Sequence, residues 1–346
     1  MSSYVRPDIL ALAGYTPGEQ PRDDVFIKLN TNENPYPPSP RVIDAIQASL
    51  KGDRLRRYPD PSGDAFRKVA ARLLGVDPEG ILIGNGSDDA FTILTRTFVP
   101  EGGLVAAPTP SYLLYRTLTG IQGARFSEVP YDSEWRLPQS WPIAGANLTF
   151  VASPNSPSGT TVPLAFLEEL AKQVKGPLVI DEAYVDFADR SAISLLKHAN
   201  IIITRSLSKS HSLAGVRFGY ALADAAVVRE LNKVKDSYNC DVLSLAAAAA
   251  ALEDQDHLHS TRSRILSTRA RMAASLAKLG FDVCPSQANF VWCRRKDRPV
   301  KPIYEELKRR RILVRYMCYE GYGDGLRISV GTDAEIDTLL GELERL

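Results

Sequence analysis

Short apolar runs separated by amphipathic stretches organise the middle of the chain. The runs at 81–83, 104–106, 148–152, 178–180, 201–204 and 218–221 lack polar alternation, the pattern of strands covered on both faces. Between them, 64–74, 88–98 and 164–174 carry the spacing of amphipathic helices. Strand–helix–strand alternation over residues 46–250 predicts a large α/β domain with a mostly parallel central sheet. Ligands of such sheets gather beyond the carboxyl ends of the strands, so those loops are where chemistry is expected.

The flanks read differently. Residues 1–45 contain KLNTNENPYPPSP, too rich in proline for a continuous helix, and predict an irregular arm contributing to the small domain and to dimer contacts. An amphipathic helix over 40–50 follows. From 251 to 346, helical patterns at 261–279 and 302–310 bracket apolar runs at 290–293, 313–316 and 326–330, as in a smaller α+β domain. The alanine run 246–251 fits a close-packed helix.

Composition narrows the function classes. A formal net charge of +1 over 346 residues gives no global field for nucleic acid or an acidic membrane. Basic runs at 54–57, 294–296 and 308–311 read as solvated faces. The four cysteines have no CxxC spacing and the four histidines no HExxH pair, so no metal site is expected. The opening MSSYVRPDIL lacks a signal-peptide pattern and no apolar run approaches a membrane span. A cytoplasmic protein is the expectation.

Four polar clusters follow the expected strands. GNGSDD places Gly84, Gly86, Ser87 and Asp88 where a strand gives way to a helix, a place suited to an anion because helix-start N–H groups lack internal partners. The alternative is a capped turn. SPNSPSG holds Asn155 between prolines, as an amide donor or merely as a turn residue. DEAY puts Asp181 directly after a buried run, where a carboxylate needs a partner: a cationic ring nitrogen, a salt bridge or a metal would each serve. RSLSKSHSLAGVRFGY then offers Ser206, Ser208, Lys209 and Arg217. Hydroxyls with a guanidinium suit phosphate. A lysine after serines is ordinarily a surface residue, but here lysine, arginine, acid and asparagine recur at one sheet edge.

With the strings KLNTNENPYPPSP, RRYPDP, GNGSDD, SPNSPSG, DEAYVDF, RSLSKSHSLAGVRFGY and LRISVGT assembled, the chain resembles, over essentially its whole length, the fold-type I pyridoxal 5'-phosphate (PLP) enzymes, the aspartate aminotransferase superfamily. The resemblance implies that Lys209 binds the cofactor covalently and moves the substrate proton. It implies that Asp181 pairs with the ring nitrogen, that Asn155 and Tyr184 bond the ring oxygen and that Tyr112 stacks on the ring. Ser87, Asp88, Ser206, Ser208 and Arg217 would hold its phosphate, joined by Tyr58 of a partner subunit in a homodimer with shared active sites. Tyr15, Asn34, Arg315 and Arg327 would contact the substrates: a phosphorylated amine, and glutamate or 2-oxoglutarate. An aromatic amino-acid aminotransferase and L-threonine-O-3-phosphate decarboxylase are similar enough to stay open, as is a PLP-binding regulator, although the arm is short for a helix-turn-helix. The motifs depart from the common pattern at Asp89, where glutamate is frequent, and at Ser156 and Ser158, where asparagine and threonine are.

Overall fold

The computed structural model describes residues 4–14, 18–21, 26–143 and 145–346. Two sheets carry the fold. The larger contains β2 (Ile81–Gly84), β3 (Leu104–Thr109), β4 (Arg125–Pro130), β5 (Leu148–Ala152), β6 (Leu178–Asp181), β7 (Ile201–Ser206) and β8 (Gly219–Leu222). Their spatial order is β2-β8-β7-β6-β5-β3-β4, and only β8 runs antiparallel to its neighbours. The smaller joins β1 (Ile27–Leu29), β9 (Asp282–Val283), β10 (Phe290–Arg294), β11 (Ile312–Tyr319) and β12 (Gly323–Ser329) in the order β1-β11-β12-β10-β9.

The unbroken apolar runs have a direct cause. In β7, Ile201 and Ile203 pack into one core while Ile202 packs into another on the opposite face, and Ile180 and Val179 of β6 divide in the same way. A strand with cores on both faces has no solvent side on which to place polar residues. The alanine run lies in the helix Val242–Glu253, which packs against Pro40–Ser49 and Asp64–Leu74 with Ala247, Ala248 and Ala251 buried.

Several elements differ from the sequence expectation. The arm is not wholly irregular, because Ile27–Leu29 pairs parallel with β11 and Leu29 enters the small-sheet core. Edge strand β4 has mostly exposed or half-exposed residues and ends in proline, so it lacks the apolar run that marks the others. The last strand of the large sheet starts at Gly219 rather than Phe218, and the helix expected from 261 begins at Gln255, where the Asp254 side chain accepts from the His257 N–H. Helices Leu114–Ile121, Ala225–Val234 and Asp333–Leu343 complete the layers.

Candidate active site

The carboxyl ends of β5, β6 and β7 open into a cavity of about 460 Å³ that the β11–β12 hairpin borders from the other side. Asp181 and Lys209 line it, together with Ser87, Tyr112, Arg217 and Arg327. The placement follows from topology: parallel strands end at one edge, and each following loop begins there.

Lys209 lies in the turn after β7, and its Nζ donates to the Thr31 carbonyl at 3.1 Å. Burial, then the cations Arg327 and Arg217, push its amine down to about 8, against the opposing pull of Glu33 and Asp88. A lysine in that range presents a useful fraction of neutral, nucleophilic amine near neutral pH. Asp181 ends β6 and is buried. Burial raises its carboxyl to about 6, with Asp88 adding to the rise, while hydrogen bonds from Tyr115, Ala183 and Thr204 oppose it. A buried acid held in this way is prepared for a cationic partner.

An anion cradle adjoins them. Ser87 opens the helix Ser87–Phe98 with free first-turn N–H groups. Arg217 donates through Nη1 to Ser208 Oγ at 3.1 Å and lies 3.5 Å from Asp88. Its own backbone is left-handed, with φ of 58°. Gly86 (φ of 84°) lets that guanidinium approach, since a Cβ there would sit 2.6 Å from Arg217 Nη2. Gly219 does the same for the helix start, where a Cβ would meet the Ser87 nitrogen at 2.4 Å. The glycines thus keep open a pocket of N–H, hydroxyl and guanidinium donors. Ser206 also lines the cavity, and its Oγ accepts from the Ser208 N–H at 3.2 Å.

Tyr112 lines the cavity and donates to Asp88 Oδ1 at 3.1 Å. The Tyr184 ring lies 5.9 Å from Lys209 Nζ, and its hydroxyl accepts from Asn32 Nδ2 at 2.9 Å. Arg315 and Arg327 face each other across the β11–β12 ladder, and both line the cavity. Arg327 donates to Ser156 Oγ and to the Asn30 carbonyl, each at 2.9 Å.

Three expected residues lie outside the cavity lining. Asn155 is fully buried outside the cavity lining, its amide donating to the Pro110 carbonyl and Ser158 Oγ, its oxygen accepting from Ser111. With those partners it braces the loop, and its neighbour Ser156 faces the cavity. Asn34 is likewise outside the lining. It donates to the Ser210 carbonyl and accepts from the Tyr36 N–H, pinning the turn that carries Lys209, whereas Asn30, Thr31 and Asn32 line the cavity. Tyr58 is away from the cavity, 80% exposed and stacked on Tyr238 with centroids 4.3 Å apart. Tyr15 lies outside the described residues.

Tyr115 was not legible beforehand, although its hydroxyl donates to Asp181 Oδ2 at 2.6 Å. The available signal was its spacing, three residues after Tyr112 at the entry to the helix Leu114–Ile121. Among the described residues no group of three or more His, Cys, Asp or Glu side chains is placed to hold a metal.

Comparison with known proteins agrees with this geometry. The family model "Aminotransferase class I and II" matches residues 24–343. The chain belongs to the class I and II aminotransferases. A histidinol-phosphate aminotransferase of Rhodopirellula baltica is 50% identical, covering 98% of this chain and 95% of its own. Another, from Nostoc sp., is 45% identical over 100% of this chain and 99% of its own. Among solved structures, histidinol-phosphate aminotransferase from Sinorhizobium meliloti in complex with pyridoxal-5'-phosphate superposes with a TM-score of 0.88 at 26% identity, covering 100% of this chain and 98% of that one. In this aminotransferase, the donor cradle, the buried acid and the half-buried lysine fit the phosphate, ring nitrogen and aldehyde of such a cofactor.

Proposed function

We propose that the chain is a PLP-dependent aminotransferase of histidine biosynthesis. It exchanges L-histidinol phosphate and 2-oxoglutarate for imidazole-acetol phosphate and L-glutamate. One observation carries the reading: two cross-strand arginines, Arg315 and Arg327, line the same cavity as Lys209, in a chain 44–50% identical over nearly its full length to relatives named for that reaction. Each substrate carries an anionic group, the carboxylates of glutamate and the phosphate of histidinol phosphate, and guanidinium forks suit carboxylate and phosphate alike.

The cofactor, when bound, supplies the electron sink for the carbanion formed at the substrate carbon. The chain supplies the rest. Ser87, Ser206, Ser208 and Arg217 would hold the phosphate, and Asp181 the ring nitrogen. Ser156 and Tyr184, which line the same cavity, would be the polar groups available to the ring oxygen. Lys209 Nζ would hold the cofactor aldehyde and, as the neutral amine, would move the proton from the substrate Cα to the cofactor carbon that takes the amino group. Arg327 would seat the α-carboxylate of glutamate, and Arg315 the substrate phosphate.

The active form is proposed as a homodimer with shared sites. Support comes from Tyr58, which stands exposed and stacked on exposed Tyr238, in a chain segment that also exposes Leu50 and Leu55. There Tyr58 would reach the partner subunit's cofactor phosphate. A cytoplasmic location is in keeping with four free cysteines, and no described helix is long and apolar enough to cross a membrane. Steady-state rates with glutamate as donor test the substrate: imidazole-acetol phosphate should be preferred over phenylpyruvate. A preference for phenylpyruvate would replace the histidine-pathway assignment with an aromatic one while leaving the chemistry in place.

A further inference from the structure

Asp181 faces the cavity, but a residue behind it decides how it is held. Tyr115 lies on the helix Leu114–Ile121, fully buried, its ring stacked on Phe150 at 4.5 Å and 3°. Phe91 packs edge-on against it at 5.3 Å, and Tyr112 at 5.6 Å. Aromatic contacts on several sides leave the ring one orientation, and in it the hydroxyl donates to Asp181 Oδ2 at 2.6 Å. The other carboxylate oxygen accepts from the Ala183 N–H at 3.0 Å and lies 3.5 Å from Thr204 Oγ1. Among the described residues, Tyr115 therefore supplies the shortest hydrogen bond to this carboxylate.

We propose that Tyr115 is a positioning residue for Asp181, its hydroxyl holding that side chain as a carboxylate turned toward the cavity. The proposal rests on the reading of Asp181 as the partner of a cofactor ring nitrogen. A buried acid without a strong donor takes up a proton and loses its attraction for a cation. The groups facing Asp181 make this balance delicate. Asp88 on the helix Ser87–Phe98 disfavours its charge, while Tyr115 and Thr204 of β7 favour it. Tyr184, half-buried on the loop after β6, stays neutral, since loss of solvent raises its hydroxyl above the ordinary value. Tyr115 stays a donor throughout, because burial first and then Asp181 itself raise its hydroxyl well above its ordinary value.

Tyr115→Phe keeps the ring and its stack and removes only the donor. The measurement is the dissociation constant of PLP from the purified protein, by quenching of tryptophan fluorescence, from near pH 6 to near pH 8.5. The expected result is affinity weakened about tenfold or more, the scale of a hydrogen bond to a charged group, with the deficit growing toward acid as Asp181 takes up its proton. In an Asp181→Asn background, Tyr115→Phe should cost little further affinity. An unchanged constant overturns the proposal. So does a deficit equal at every pH, or one that persists in full beside Asp181→Asn, since either would mark Tyr115 as packing alone. Failure of the wild-type protein to bind PLP would instead overturn the reading of the site.

Discussion

The two sides of the cavity are built by different rules. On the large-sheet side, Asp181 is buried and Lys209 half-buried, and each is shifted toward its neutral form by the loss of solvent. Their positions come from adjacent parallel strands, so a single topology fixes both. On the hairpin side, Arg315 and Arg327 are half-exposed cations held across one antiparallel ladder. The first arrangement suits a permanent cofactor whose charges must be met in a dry site. The second suits substrates that enter, bind through anionic groups and leave. Ser156 and Asn30 join the two sides, because Arg327 donates to both.

The largest expected effect lies on the sheet side. Lys209→Arg keeps the positive charge but loses the primary amine that the chemistry requires. Turnover should fall by roughly 10⁴-fold or more, with stability near wild type, as checked by single-turnover kinetics and thermal melting. On the hairpin side the losses should be smaller and selective. Arg327→Leu should lower kcat/KM for glutamate by about 10- to 150-fold, the range of one charge-assisted hydrogen bond. Arg315→Leu should weaken the phosphorylated substrate by a similar factor and leave the glutamate half-reaction nearly intact. Equal losses in both half-reactions would erase the distinction between the two arginines.

The pH dependence sharpens the same contrast. Lys209 is pushed down to about 8, so the neutral amine predominates above that pH and diminishes below it. The rate at which cofactor-free protein captures PLP should therefore rise by about tenfold per pH unit on the acid side and flatten above about 8. Removing the Arg327 cation should move this limb upward, because that cation helps depress the amine. Stopped-flow absorbance would follow both shifts. The smallest effects belong to the braces. Ser156→Ala removes one partner of Arg327 and should raise the KM for glutamate only a few-fold, about 1 kcal/mol. Asn155→Ala should cost about 1–3 kcal/mol of stability by leaving buried groups unpaired, with little change in KM, as read from denaturant unfolding.

Much of the sheet side was legible in the sequence because its signals are local. A buried strand followed at once by Asp181, or by Ser206, Ser208 and Lys209, declares both its position and its chemistry. Edge strand β4 gave no such signal, since an edge tolerates polar residues and a terminal proline. Strand β1 was hidden because its partner, β11, lies almost the whole chain away. The SPNSPSG loop shows the limit at single residues. Periodicity cannot say which of Asn155 and Ser156 turns to the cavity, because the answer depends on Pro110, Ser111 and Ser158 receiving the amide. Tyr115 was missed for a similar reason: a tyrosine inside an apolar helix reads as core until its hydroxyl is found on Asp181.

The central claim is that Lys209 carries the cofactor. Borohydride reduction of the PLP-loaded protein, followed by peptide mass spectrometry, tests it directly. The account predicts one pyridoxyl phosphate group per chain, on the peptide containing Lys209. Modification at another lysine, or none after loading with PLP, would contradict it.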